Sequence, residues 1–136
     1  MGLLDVNQSK PGTPPVYTEL LLSSRAQEET PCQVLSAVAL AILVDGWRVG
    51  PGALLENIIG AHVPGTKVPH LYFTLPGLYR DFDEVHLTGR TLHPLACFPI
   101  SEAEAKLVRA GRGEDLEIFW EDKFIDPVDW ERDGVL

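Results

Sequence analysis

The side chains with the most chemistry to offer are four histidines, His62, His70, His86 and His93, and two cysteines, Cys32 and Cys97. A helical metal site wants histidines at i and i+4. No two of these stand so, and the His-Glu-x-x-His pattern is absent. His70 opens one predicted strand and His86 lies inside another, so the two could meet across a sheet and line a small-ligand or metal-dependent catalytic cleft. Satisfied interior or surface imidazoles are the preferred reading, with no metal and no cofactor expected. Cys32 falls in the first turn of a predicted helix, where the backbone dipole favours a thiolate. No histidine stands beside it in sequence to act as a base, and a small buried hydrophobe is the preferred reading. Asp81, Asp83 and Glu84 resemble a hydrolase acid cluster, but a turn needs the same residue types. No phosphate loop, dinucleotide fingerprint or Gly-x-Ser-x-Gly elbow occurs. No catalytic residue is expected.

The charge pattern says more. The 136 residues carry 11 Lys and Arg against 20 Asp and Glu, a formal charge of −9. That excludes the basic footprint of a nucleic-acid binder or of a protein drawn to anionic membranes. Nine acids stand from Glu114 onward against only Lys123 and Arg132. This acidic C-terminal segment, 114–136, reads as a solvated face or as a docking surface for a basic protein. The candidate partner-binding residues are Asp115, Glu117, Glu121, Asp122, Asp126, Asp129, Trp130, Glu131 and Asp133. Trp130 would either tether the tail or join the interface.

One domain of ordinary globular composition must position these residues. Two cysteines make no disulfide framework, no basic-then-apolar leader opens the chain, and the longest uncharged apolar run, Val34 to Val44, is too short to span a bilayer. A cytoplasmic, membrane-free protein is expected. Residues 1–15 read as a flexible lead-in, and 16–136 as the domain. Val16 to Ser23 and His70 to Leu75 read as strands. Glu84 to Thr88 and Thr91 to Phe98 form a predicted hairpin, with Pro94 marking an edge or bulge. Ala53 to Ile59 is a short strand or a helical turn. A Thr30–Gln33 capping box with Pro31 starts a helix to Val44, apolar all round and so expected in mid-core. Ser101 and Glu104 form a second box, ahead of a helix whose Ala103, Leu107 and Ala110 share a face and whose end is capped by Gly111. A third helix, Glu114 to Lys123, puts Leu116, Phe119 and Trp120 on one stripe, and an extended tail follows from Ile125. The fold class is α+β: one mixed, largely antiparallel β-sheet with helices packed against it.

Several motifs in order resemble the suppressor-of-fused domain in its small bacterial stand-alone form. They are Tyr17-Thr18-Glu19-Leu20-Leu21, the apolar helix after Pro31, Pro51-Gly52 with Asn57, Pro64-Gly65-Thr66, and His70-Leu71-Tyr72-Phe73 with Pro76. The closing set is the most specific: Pro99-Ile100-Ser101-Glu102-Ala103-Glu104, Ile125-Asp126-Pro127 with Asp129, and Arg132. The ending Arg132-Asp133-Gly134-Val135 departs from the family pattern. The resemblance implies a non-enzymatic protein-binding domain. In animals such a domain clasps a transcription-factor segment; similar bacterial domains look like immunity or antitoxin proteins that neutralise toxins, often nucleases. An immunity protein occluding a basic, nuclease-like toxin is the leading expectation. The histidine-lined enzyme and an accessory structural domain are the alternatives, and monomer and homodimer stay open.

Overall fold

The computed structural model describes residues 2–3, 16–22, 29–46, 49–74, 85–87 and 90–134. Side chains of the strand residues 2–3, 16–19, 85–87 and 90–93 lie outside the description. The predicted turn at 81–84, Trp47 and most of the lead-in also fall outside it. Gly2–Leu3 nevertheless form a strand, β1, within the segment expected to be a lead-in. The other strands are β2 (Val16–Leu22), β3 (Leu54–Leu55), β4 (His70–Thr74), β5 (Val85–Leu87) and β6 (Arg90–Ile100). The helices are α1 (Glu29–Asp45), α2 (Glu102–Arg109) and α3 (Gly113–Asp122).

The strands form one mixed sheet in the order β1-β2-β6-β4-β3, with β5 also on β6. Among the described strands, only β2 and β6 pair in parallel; the other pairings are antiparallel. The fold class is therefore the α+β arrangement expected from the sequence. The predicted hairpin exists as β5 and β6. Its second arm is central, however, not an edge: β2 runs along one side of β6, while β5 and then β4 take the other. Pro94 falls between the last β5 pair at Leu92 and the first β4 pair at Ala96. On its other side Pro94 lies opposite Glu19 of β2, so the gap is confined to the β5/β4 side, where a residue with no N–H is tolerated.

Alternation along the central strands divides the core. Leu71, Phe73, Leu95 and Cys97 pack with Val34, Val38 and Ile42 of α1 on one face. Tyr72, Ala96, Phe98 and Ile100 pack with Ala105, Val108, Leu116 and Trp120 of α2 and α3 on the other. Both faces of β4 are covered, so every residue of it is buried. Each fully buried Leu or Phe in these layers contributes about 1.5–3 kcal/mol.

Four helical details differ from expectation. Helix α1 begins at Glu29, so Thr30 is already inside it, and Gln33 bonds the Glu29 side chain instead of closing a box with Thr30. It buries one stripe only; Leu40, Leu43 and Val44 are exposed, because α1 lies as an outer layer on the sheet. Helix α2 turns Glu104, Ala105 and Val108 inward, while Ala110 is exposed. The stripe of α3 keeps Leu116 and Trp120 but leaves Phe119 at the surface. The Ser101–Glu104 box is complete, and Gly111 adopts φ +76 just past α2, the left-handed conformation that favours glycine. Of Ala53 to Ile59, Leu54–Leu55 are strand and residues 56–59 are turn.

Candidate functional site

Tyr72 and Thr74 are two residues apart on β4, and a strand points such residues to one face. Both hydroxyls donate to the Glu117 carboxylate of α3: Tyr72 Oη to Oε2 at 3.2 Å and Thr74 Oγ1 to Oε1 at 2.7 Å. Burial, reinforced by the Glu117 charge, pushes the Tyr72 hydroxyl up to about 12. The two hydroxyls and the carboxylate wall a cleft of 450 Å³, closed by Pro51, Gly52, Val108, Gly113 and Glu114. Pro51-Gly52 is a type II turn: Ala53 N–H donates to Gly50 O, and Gly52 takes φ +87 at the position that requires it. Gly113 is a close approach. A Cβ there would lie 2.7 Å from the Tyr72 hydroxyl oxygen.

The second cluster centres on His70. Its Nδ1 accepts from the Asn57 backbone N–H at 2.8 Å, so that nitrogen carries no proton. The ring is the Nε2–H tautomer and donates to Glu102 at 2.5 Å. Arg109 holds Glu102 from the other side and reaches Glu56 as well. Arg109, with help from His70, holds the Glu102 carboxyl down to about 2. This is a structural strap between the 54–60 turn, β4 and α2. Both ring nitrogens are occupied, which leaves none to serve as a base.

The third cluster is buried. Glu104 accepts from Ser101 N, from Trp120 Nε1 and from the Arg132 guanidinium. Arg132 also donates to Pro99 O and lies 5.5 Å from the centre of the Trp120 ring. Cations so placed are attracted to an aromatic face.

The structure separates the predicted chemistry. His70 pairs with Ile100 of β6, whereas His86 pairs with Thr91. Nine residues of strand at roughly 3.3 Å each put about 30 Å between their backbones. The His70/His86 cleft is therefore not formed. Cys32 is exposed, not buried as expected; it and His62 line a more open groove beside α1. Cys97 is buried, and burial pushes its thiol up to about 12. Among the described residues, no group of three or more His, Cys, Asp or Glu could hold one metal ion, and no helix is long and apolar enough to cross a membrane.

The candidate acids serve different ends. Glu121, Asp122 and Glu131 are exposed. Asp115 pairs with Arg112, and Asp133 with Lys67. Asp126 and Asp129 are half-buried and accept from the N–H groups of Val128 and Glu131, as turn-forming aspartates do. Trp130 is buried in the α1-side core, so residues 125–134 are packed down and are not the extended tail expected. Sequence reasoning named Glu117 but missed Tyr72 and Thr74 as its partners. Their i, i+2 spacing on the predicted His70 to Leu75 strand was the available signal.

The Suppressor of fused protein (SUFU) family model matches residues 1–133. No curated protein matches the chain. Among solved structures, it is similar to a suppressor of fused protein homologue from Neisseria gonorrhoeae FA 1090, with a TM-score of 0.66 at 18% identity. That match covers 89% of this chain but only 63% of the other, so the likeness is one of fold over part of a longer protein. The signature residues quoted from the sequence meet in space: Glu104 with Arg132, Ser101 with Glu104, and Asn57 with His70. With the family model spanning nearly its whole length, the chain belongs to the suppressor of fused family.

Proposed function

We propose that this protein is a non-enzymatic protein-binding domain and that it acts as an immunity-like protein, covering the basic surface of a partner such as a nuclease toxin. The observation that carries the reading is the division of labour among its C-terminal acids. Six of the nine candidates, Asp115, Glu117, Asp126, Asp129, Trp130 and Asp133, hold the fold together, while Glu121, Asp122 and Glu131 stay exposed without an ion pair among the described residues. Exposed, uncommitted carboxylates steer a basic partner and cost the fold nothing. Two unpaired cysteines suit a reducing, cytoplasmic setting.

The test is association with the product of the adjacent reading frame, or with a basic nuclease domain. Glu121→Gln, Asp122→Asn and Glu131→Gln together should slow association and flatten its salt dependence, with the melting temperature nearly unchanged. Exposed charges act over about 8 Å at physiological ionic strength. Unaltered association in that triple variant would defeat the reading.

A further inference from the structure

We infer that the cleft between β4, α2 and α3 is a receptor for one arginine side chain of the protein partner. The inference deepens the proposed function and rests on it for the partner's basic character. The cleft offers 450 Å³, and its lining includes two carboxylates, Glu114 and Glu117, and no Lys or Arg. Neither carboxylate has an ion pair among the described residues, although Asp115 of the same helix has one. Glu117 is held in place by the Tyr72 and Thr74 hydroxyls, one on each oxygen. Each oxygen keeps further acceptor capacity, so the carboxylate is pre-set for the planar two-pronged donor of a guanidinium.

The remaining wall suits the same guest. Val108, Pro51 and the Tyr72 ring give an apolar path for a three-carbon stem, and Gly52, Gly111 and Gly113 keep the walls thin. An aromatic face also favours a delocalised cation over an ammonium. One feature of the site opposes a cation: the N-terminus of α3 begins at Gly113 and carries about half a positive charge. Two full negative charges within the same cleft outweigh it.

The full chain can be titrated with acetyl-Gly-Arg-Gly-amide while backbone amides are followed by NMR. The citrulline analogue, of the same shape without the charge, and the lysine analogue serve as comparisons. The expected result is saturable shifts at Thr74, Gly113 and Glu117, weaker binding of lysine and none of citrulline. Glu117→Gln should weaken the arginine peptide by about tenfold or more, the worth of a charge-assisted pair. Glu114→Gln, an exposed change remote from the core, should weaken it as well. Asp45→Asn, at the exposed end of α1 on the opposite face of the sheet, should leave affinity within about twofold. Equal losses in all three variants, or shifts spread over every acidic residue, would overturn the cleft in favour of diffuse attraction. If the peptide seats here but no basic protein binds, the cleft stands and the immunity reading fails. If a basic protein binds with Glu117→Gln affinity unchanged, the reverse holds.

Discussion

The Glu104 carboxylate and the Arg132 guanidinium, 28 residues apart in the chain, form an ion pair with both side chains shut away from water. Arg132 Nη1 lies 3.1 Å from Oε1 and 3.2 Å from Oε2. The pair pins the last described turn to the start of α2. Removing one member of a buried pair strands the other, at a cost of about 3–5 kcal/mol. Glu104→Gln and Arg132→Met should each lower unfolding free energy by about that amount in urea titrations. The double variant Glu104→Gln/Arg132→Met should cost clearly less than the two singles together, because no charge is left behind. Additive losses would show that the pair is not the coupling element.

Ser101→Ala should cost roughly 0.5–2 kcal/mol through the lost cap. Aspartate is ordinarily a good replacement at such a position. Here it should fail to rescue, because Ser101 is buried beside the Glu104 carboxylate, and Gly134 packs so closely that a Cβ on it would lie 2.3 Å from Ser101 Oγ. Thermal melts of the Ala and Asp variants check this; a wild-type midpoint for Ser101→Asp would contradict it.

Gly113→Ala should force Tyr72 away from Glu117, since its Cβ would meet the hydroxyl oxygen at 2.7 Å. Overpacking of this kind costs about 1–3 kcal/mol. Ala is otherwise the better helix former, so a gain in stability would show that the Tyr72 ring moves freely.

The strap at Glu102 predicts a pH dependence. Its carboxyl lies near 4.5 ordinarily and is held down to about 2 in the folded chain. A depressed acid stabilises the fold above its unfolded value and loses that contribution as pH falls towards the folded one. The stability difference between wild type and Glu102→Gln should therefore be full above about pH 4.5 and close by about pH 2. The group is exposed, so the difference should be small and shrink with salt. A gap that stays constant from pH 6 to pH 2 would refute the strap.

Removing residues 125–136 should prevent cooperative folding, because it takes Trp130 from one core face and Arg132 from the other. Trp→Ala in a core costs about 3–5 kcal/mol by itself, a large part of a domain's stability. A sharp melt in the truncated chain, followed by near-ultraviolet dichroism, would mean that the segment is dispensable.

Local chemistry explains what could be read from the sequence alone. The Ser101–Glu104 box, the glycine past α2, the β-rich run at His70 and the turn at Pro51-Gly52 are each decided within a few residues. Hydrogen bonds to near neighbours and allowed φ values suffice for them. The mix of strand and helix patterns carried the α+β class, and the motifs from Tyr17 to Arg132, taken in order, carried the family. Long-range pairing was a different matter. Nothing local says that β2 joins β6 in parallel or that His70 and His86 pair with opposite ends of β6, because register is set by which faces bury together. The acids of 114–133 looked alike in sequence. Only packing separated Asp126 and Asp129, spent on turns, and Glu117, seated under two hydroxyls, from the exposed charges of Glu121, Asp122 and Glu131. Burial of Trp130 turned a predicted tail into part of the core. A residue's type sets what it can do, but its partners across the sheet decide whether that capacity is already used.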